Sequence, residues 1–366
     1  MRIVLAPNSF KGSASAIDVA RWLATGIKAA DPTIELIEAP IADGGDGSLE
    51  ILRAAGFAPR LVRTTDALGE AIEASIGIRG DTAFIETALM CGLKPLRAKK
   101  LEPLRASTYG LGVAIREVLD LGCKRIILGL GGSATTDGGA GALSALGAHL
   151  LDKSGNELPL GGGHLVELER IQTDDLDTRI KETQFIALSD VTNPLLGDLG
   201  SAKVFAPQKG ADQSAVEILE RGLTNLVKVT KSKRADASGA GAAGGLGFMA
   251  LEFLGGTLID GTSWLIHETN FESKIEGADL IITGEGRYDA QSATTKATAN
   301  LARLATSRGI QIALVCGEIA IPPVGFVASY QLVDQGDRDE VIHNPAPYLE
   351  ALGAKIARGR AHFNTK

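Results

Sequence analysis

Short aliphatic and β-branched runs recur along the chain, at Arg2 to Ala6, Ile34 to Ala39, Arg125 to Leu130 and Leu280 to Thr283. Such runs suit the strands of a parallel sheet. Polar, glycine-bearing loops follow these runs. Apolar positions spaced three and four apart then predict helices at Ala16 to Ala30, Leu49 to Ala55, Leu111 to Leu121, Ala140 to Leu150, Ala215 to Thr230 and Thr298 to Ser307. This alternation is the pattern of an α/β protein, and no repeat of roughly 20 to 50 residues interrupts it.

The middle of the chain departs from that pattern. A charged, turn-rich stretch at Leu61 to Gly80, the turn Gly161-Gly162-Gly163 and the acidic segment Asp174 to Asp177 point to an inserted or appended second domain. A length of 366 residues agrees, being about twice the usual domain of about 150 residues. The expectation is two α/β domains with the active site in the cleft they share. One is Rossmann-like with a parallel sheet, formed by residues 1–65 and 275–366, and residues 66–274 form the other.

Charge and composition narrow the function. A net charge of −7 gives no electrostatic reason to bind nucleic acid, and the basic pairs and runs at Lys99-Lys100 and Lys231 to Arg234 lack interleaved aromatics. The three cysteines form no CxxC, and the five histidines fall in no HExxH pattern. A reducing cytoplasm is therefore expected, and any metal is expected to sit among oxygen ligands. The apolar run at the amino terminus is too short for a signal peptide, and Ala237 to Leu251 is too short to span a bilayer.

In open parallel sheets, ligands bind beyond the carboxyl ends of the strands, so the loops there are the places to look for chemistry. Gly131-Gly132-Ser133-Ala134-Thr135-Thr136-Asp137-Gly138-Gly139 follows a strand and opens a helix, so its amides and hydroxyls can cradle phosphate. The same residue types also make ordinary helix caps. No Gly-Lys dipeptide exists, so there is no Walker A loop. A dinucleotide reading competes, because Gly129 to Ala134 fits GxGxxA and Asp152 lies near the spacing of a ribose-binding acid. Asp137 argues against it, since an acid in that loop repels bare pyrophosphate unless a divalent cation intervenes. A literal GxGxxG at Gly239 to Gly244 follows a polar segment rather than a strand and is a weak match.

Other loops mix unlike polar groups. Asp43 and Asp46 stand among glycines before a helix, where they can hold Mg²⁺, accept a proton or simply cap. Gly284 to Ser292 carries Glu285, Arg287 and Asp289, and Arg287 can grip a carboxylate or phosphate through two N–H groups. Asp190, in Ser189 to Pro194 after the run Phe185 to Leu188, is a candidate base. Gln208-Lys209-Gly210 adds a lysine, and Lys11 in Asn8 to Ser13 can neutralise phosphate charge during transfer.

Read together, Ala6 to Ser13, Ala42 to Ser48, Gly131 to Gly139, Asp190 to Pro194, Phe205 to Ala211, Gly239 to Gly245 and Ile282 to Gln291 resemble the motifs of the bacterial glycerate kinase family, type I group, in the family's order. The resemblance covers nearly the whole chain. It implies a cytoplasmic enzyme that uses ATP and Mg²⁺ to phosphorylate D-glycerate in the breakdown of glycolate, glucarate or related sugar acids. Neither membrane nor nucleic acid is implied as a partner, and a homodimer is the candidate assembly. The product implied is 2-phosphoglycerate, with 3-phosphoglycerate left open.

On that footing Asp190, Lys11 and Asp289 are expected to be catalytic, Asp190 as the base. Arg287 is expected on the glycerate carboxylate, and Asn193, Lys209 and Ser9 are the other substrate-binding candidates. Gly131, Gly132, Ser133, Thr135 and Thr136 are expected on nucleotide phosphates, and Asp43, Asp46, Asp137 and Glu285 on the metal. The chain departs from the family pattern at Asn8, where Asp is usual, at Asp46 (Glu), at Thr136 (Asn) and at Thr295-Lys296 (Gly-Lys). The different-class alternatives are an NAD(P)-dependent oxidoreductase of a small hydroxy acid and a non-catalytic ligand sensor on the same fold.

Overall fold

The computed structural model describes residues 1–97, 101–290, 292 and 297–359. In chain order the strands are β1 (Arg2–Pro7), β2 (Glu35–Glu38), β3 (Ala58–Thr65), β4 (Ala71–Arg79), β5 (Thr82–Glu86), β6 (Arg125–Gly129), β7 (His149–Leu151), β8 (Arg170–Gln172), β9 (Gln184–Leu188), β10 (Thr257–Ile259), β11 (Leu280–Tyr288), β12 (Gln311–Ile319) and β13 (Ala328–Gln331). They form a five-stranded sheet ordered β13-β12-β11-β1-β2, a six-stranded sheet ordered β10-β9-β6-β5-β4-β3, and the small β7-β8 pair.

Two compact units result. The first comprises Met1–Asp43, Glu50–Ala55 and the chain from Thr262 onward, and the second comprises Gly44–Leu49 and Gly56–Gly261. The sequence expectation assigned residues 44–49, 56–65 and 262–274 differently. β3 falls in the second unit because it pairs with β4 from Ala58↔Ile78 to Thr65↔Ala71, so the turn-rich stretch after Leu61 is the second half of a hairpin.

Every pairing in the first unit's sheet is parallel. Its central strands β1, β11 and β12 bury alternate residues on opposite faces, which is why much of each reads as an apolar run, whereas the outer strands β2 and β13 do not. Ile3 and Leu5 of β1, Leu280 and Ile282 of β11, and Ala313 and Val315 of β12 meet the helices Ala16–Ala30 and Ala346–Arg358 through Leu23, Ile27, Leu349 and Leu352. Val4, Ala6, Ile281 and Ile312 face the other way, onto Leu301 and Ala305 of the helix Ala297–Ser307. The chain leaves β1 towards β2 on one side and returns through β11 on the other, so the strand order reverses at β1. The carboxyl ends of β1 and β11 therefore form the switch point at which open α/β sheets take ligands.

The second unit's sheet is mixed: β5, β6, β9 and β10 run parallel, while β4 and β3 fold back antiparallel. Ile126 and Leu128 of β6 and Ala83 and Ile85 of β5 join Leu111, Ile115 and Val118 of the helix Tyr109–Asp120 in one core.

Two element boundaries differ from the sequence reading for identifiable reasons. The helix expected to run to Leu150 ends at Ala145. Gly147, at φ +103°, closes it with bonds from Gly147 N to Ser144 O and from Ala148 N to Leu143 O, a Schellman-type stop, and the chain continues as β7. The strand expected to end at Thr283 continues to Tyr288, with Arg287 opposite Glu318 of β12, so Arg287 projects from a strand rather than a loop.

Candidate functional site

The sequence-predicted residues separate into two groups, one in each unit. In the first unit a cavity of about 270 Å³ opens at the switch point, and Ser9, Lys11, Asp43, Glu285, Arg287 and Asp289 all line it. Asn8, at the end of β1, donates its amide N–H to Gly284 O and accepts from Ser9 N through Oδ1. That turn sends the following residues across the end of β11. A side chain at Gly286 would press on Lys11 N and Phe10 Cα, 3.2 and 3.3 Å from its Cβ, so glycine permits the approach.

The charges of this cavity are arranged rather than scattered. Lys11 Nζ lies 3.7 Å from Asp43 Oδ2. Glu285, buried, accepts from the hydroxyls of Ser292 and Thr298, and Asp289 Oδ1 accepts from Ser292 N at 3.0 Å and Ser292 Oγ at 3.2 Å. Those hydroxyls hold the Glu285 carboxylate within the turn that also carries Asp289 and Ser292. Arg287 is exposed and forms no ion pair with a described residue, so its fork of donors is available. Ser9 Oγ is buried and has no hydrogen-bond partner among the described residues.

In the second unit the loop after β6 is organised from within by Asp137. This carboxylate is fully buried, and Oδ2 accepts from Thr108 N, Thr108 Oγ1 and Gly141 N while Oδ1 accepts from Gly139 N. Thr108 Oγ1 in turn accepts from Ala142 N. Burial pushes the Asp137 carboxyl above the usual range, and the surrounding donors pull it back. With three donors on Oδ2 and one on Oδ1, Asp137 braces the loop from within.

Lys209 reaches the same loop. Its amine is buried and donates to Ser133 Oγ at 3.1 Å and Thr135 O at 2.6 Å, and burial lowers its pKa to about 8. Beside it Cys91 is fully enclosed, its thiol pushed up to about 12 by burial and then by Asp137. The loop presents Gly131 and Gly132 to solvent, while Ser133, Thr135 and Thr136 lie beneath. Thr135 Oγ1 and Thr136 Oγ1 are buried without hydrogen-bond partners among the described residues. Asp46, half-buried, sits against Gly132, where a Cβ would fall 2.2 Å from Asp46 Oδ1.

The weak GxGxxG match has a packing role. Ala243, Gly244 and Gly245 take left-handed backbone inside the helix Ala242–Glu252, and Gly138 N donates to Gly244 O. A Cβ on Gly244 would lie 1.9 Å from Thr135 O. Gly244→Ala is therefore expected to lower stability by about 2 to 5 kcal/mol, combining left-handed strain with overpacking. Urea unfolding, read as a lowered midpoint, checks this.

Asp190 follows β9 and is half-buried, with Oδ1 accepting from Gly261 N at 2.8 Å. Asn193 turns its amide to Leu199 O, and its own carbonyl accepts from Gly241 N, so it serves the loop's shape more than an open binding face. Asp152, the acid of the dinucleotide reading, is taken up in a turn, where it accepts from Ser154 N and Asn156 N. It precedes the β7–β8 pair's return and not the end of a neighbouring parallel strand, which removes that reading's ribose ligand.

Three residues that sequence reasoning passed over also build these sites. Glu86, buried at the end of β5, accepts from Gly47 N and Leu49 N and so holds the loop that carries Asp46. Glu318 and Arg338 pair at 3.1 Å on the first unit's cavity. The signal for Glu86 was an acid ending an apolar run with no glycine after it, whereas nothing local marks the Glu318–Arg338 pair. Lys99, Lys100, Gln291, Thr295 and Lys296 lie outside the described residues.

Comparison with known proteins places these sites in context. The profile of the glycerate kinase family matches residues 3–360. The chain is 43% identical to the glycerate 2-kinase of Escherichia coli K12 over 312 residues, covering 83% of this chain and 82% of that one. It is 38% identical to the glycerate kinase of Bacillus subtilis 168, covering 98% and 97%. The crystal structure of a candidate glycerate kinase 2 from Salmonella typhimurium LT2 superposes with a TM-score of 0.80 at 34% identity, covering 99% of this chain and 98% of that one. Matched along nearly its whole length in both sequence and fold, the chain belongs to the glycerate kinase family and is a kinase.

Proposed function

We propose that this kinase transfers the γ-phosphoryl group of ATP to a hydroxyl of D-glycerate, giving 2-phosphoglycerate for sugar-acid breakdown in the cytoplasm. The observation that carries the reading is the meeting of unpaired Arg287 with Lys11, Ser9 and Asp289 on one cavity at the switch point of a parallel sheet. A planar guanidinium with free donors matches a carboxylate, the one group that every glycerate presents. Among the described residues no helix is long and apolar enough to cross a membrane.

Phosphoryl transfer needs positioning and neutralisation of charge more than covalent chemistry from the protein. The glycerate hydroxyl attacks the γ-phosphorus, the bond to the bridging β-oxygen breaks, and ADP leaves with that electron pair. Asp190 takes the hydroxyl proton. Arg287 holds the carboxylate, and Lys11 and Asp289 order the groups around it. Gly131, Gly132 and Ser133, with Lys209 behind them, receive nucleotide phosphate.

The donor set suits magnesium, which keeps several waters and needs only one or two carboxylates beside phosphate oxygens. Asp46 beside Gly132 and Asp43 beside Lys11 are the carboxylates left for that role once Asp137 and Glu285 are assigned to hydroxyl and amide donors. The bound ion would neutralise phosphate charge. Asn8 stands where a carboxylate is usual and supplies an amide oxygen that Ser9 N already uses.

Arg287→Ala is expected to raise KM for glycerate by roughly 10- to 100-fold through loss of charge-assisted hydrogen bonds, with a smaller change in kcat. Arg287→Lys is expected to restore little, because a point charge lacks the fork. Steady-state kinetics at saturating ATP check both. The position of transfer is tested by adding enolase to the product. Direct conversion identifies 2-phosphoglycerate, whereas conversion only after phosphoglycerate mutase is added identifies 3-phosphoglycerate and overturns the proposed regiochemistry.

A further inference from the structure

The first unit's cavity has more character than a three-carbon polyol acid uses. Besides its charged groups it is lined by Phe10, Leu332, Val333, Val341 and Ile342. Leu332 and Val333 stand on the short turn Leu332–Asp334, and Val341 and Ile342 on the helix Arg338–His343. That helix is fixed at both ends of its contact with the cavity. Asp337 caps it by accepting from Asp339 N and Glu340 N, and Ser13 Oγ donates to Ile342 O.

The anion-binding side is equally specific. Arg287 of β11 lies opposite Glu318 of β12, and Glu318 pairs with Arg338. Glu318 and Asp43 thus take up Arg338 and Lys11, while Arg287 makes no ion pair with a described residue and keeps its donors for a ligand anion. Together the lining describes a ligand with an anionic head and an aliphatic body. Glycerate has the head, but with an oxygen on each carbon it brings little apolar surface to the side chains of Val333 and Ile342.

We propose that this cavity also accepts, and the enzyme phosphorylates, 2,3-dihydroxy acids that carry an alkyl substituent. The inference rests on the reading of Arg287 as the carboxylate-binding residue. The acid's carboxylate lies on Arg287 with Arg338 beside it, and the alkyl group covers Val333 and Ile342. The chemistry is that of the glycerate reaction. A hydroxyl oxygen bonds to the γ-phosphorus of ATP, the bridging P–O bond breaks, ADP departs with the electron pair, and the hydroxyl proton passes to a base. A single methyl group in an apolar pocket shifts selectivity by roughly 10- to 200-fold, so the effect is measurable.

The test is the ratio of kcat/KM for 2,3-dihydroxybutanoate and 2,3-dihydroxy-3-methylbutanoate to that for D-glycerate, with ATP and Mg²⁺, in the full chain and in Ile342→Asn and Val333→Asn. Both positions are half-buried, and the two variants guard against either one failing to fold. The expected result is a ratio near or above one that falls about tenfold in the variants. Turnover of glycerate with a ratio below about one-hundredth overturns the proposal. An unchanged ratio accompanied by a raised KM for ATP also overturns it, and assigns the apolar side chains to the nucleotide base. Turnover of the alkyl acids without glycerate supports the proposal while removing glycerate as the substrate, and no turnover of any acid overturns both readings.

Discussion

Asp190→Asn is expected to depress kcat by roughly 10²- to 10⁴-fold while leaving KM for glycerate nearly unchanged, the pattern left by removal of a general base. The substitution is a clean one. The asparagine oxygen can still accept from Gly261 N as Oδ1 does at 2.8 Å, so the turn after β9 keeps its bond while the proton acceptor is lost. Pre-steady-state mixing with ATP and glycerate checks that the chemical step, and not product release, has slowed. Near-normal turnover would remove Asp190 from the role and leave it a structural part of the turn after β9.

Lys209→Met is expected to lower kcat/KM for ATP by roughly 10²- to 10³-fold, the loss typical of one preorganised charge at a reacting centre. Stability at neutral pH is expected to change little, because removal of a buried cation offsets the loss of its bonds to Ser133 Oγ and Thr135 O. The pH dependence distinguishes this lysine from others. Burial lowers its pKa from 10.5 to about 8, so the amine loses its charge as pH rises through that value and kcat/KM for ATP falls with it.

The linked stability has the opposite slope. Between about pH 8 and 10.5 the unfolded chain holds the proton more tightly than the folded one, so stability rises with pH and is lost again as pH falls through about 8. In Lys209→Met both the basic limb of activity and this rise are expected to disappear, as read by pH–rate profiles and by denaturant unfolding at matched pH. A basic limb that persists in the variant would assign it to another group.

Much of the first unit was legible because its sheet is parallel and buried on both faces. That forces continuous apolar runs, and their carboxyl ends mark the ligand side without further information. That rule pointed to the loops carrying Ser9, Lys11, Arg287 and Asp289, the family resemblance supplied the roles expected of them, and the four line one cavity. The second unit was harder to read for a physical reason. In Gly131 to Gly139 the same residue types serve inward and outward roles, and sequence does not say which way each side chain turns. Gly131 and Gly132 face outward, whereas Asp137 turns in to meet Thr108, twenty-nine residues earlier in the chain, a pairing that no local pattern announces. Gly147 was a visible stop that the helical spacing of Ala140 to Leu150 overrode, and the strand character of Gly284 to Tyr288 was hidden by two glycines that the sheet tolerates because β12 and the 8–11 turn approach closely there.

The measurement that bears most directly on the account is ADP formation by the purified chain with ATP and Mg²⁺, with and without D-glycerate, run beside an assay for NADH formation from NAD⁺ and the same acid. The account predicts ADP release that depends on glycerate, matches phosphoglycerate formed mole for mole, and occurs without NADH. ADP release that ignores glycerate, or NADH formation that requires it, would contradict the assignment of glycerate as the phosphoryl acceptor.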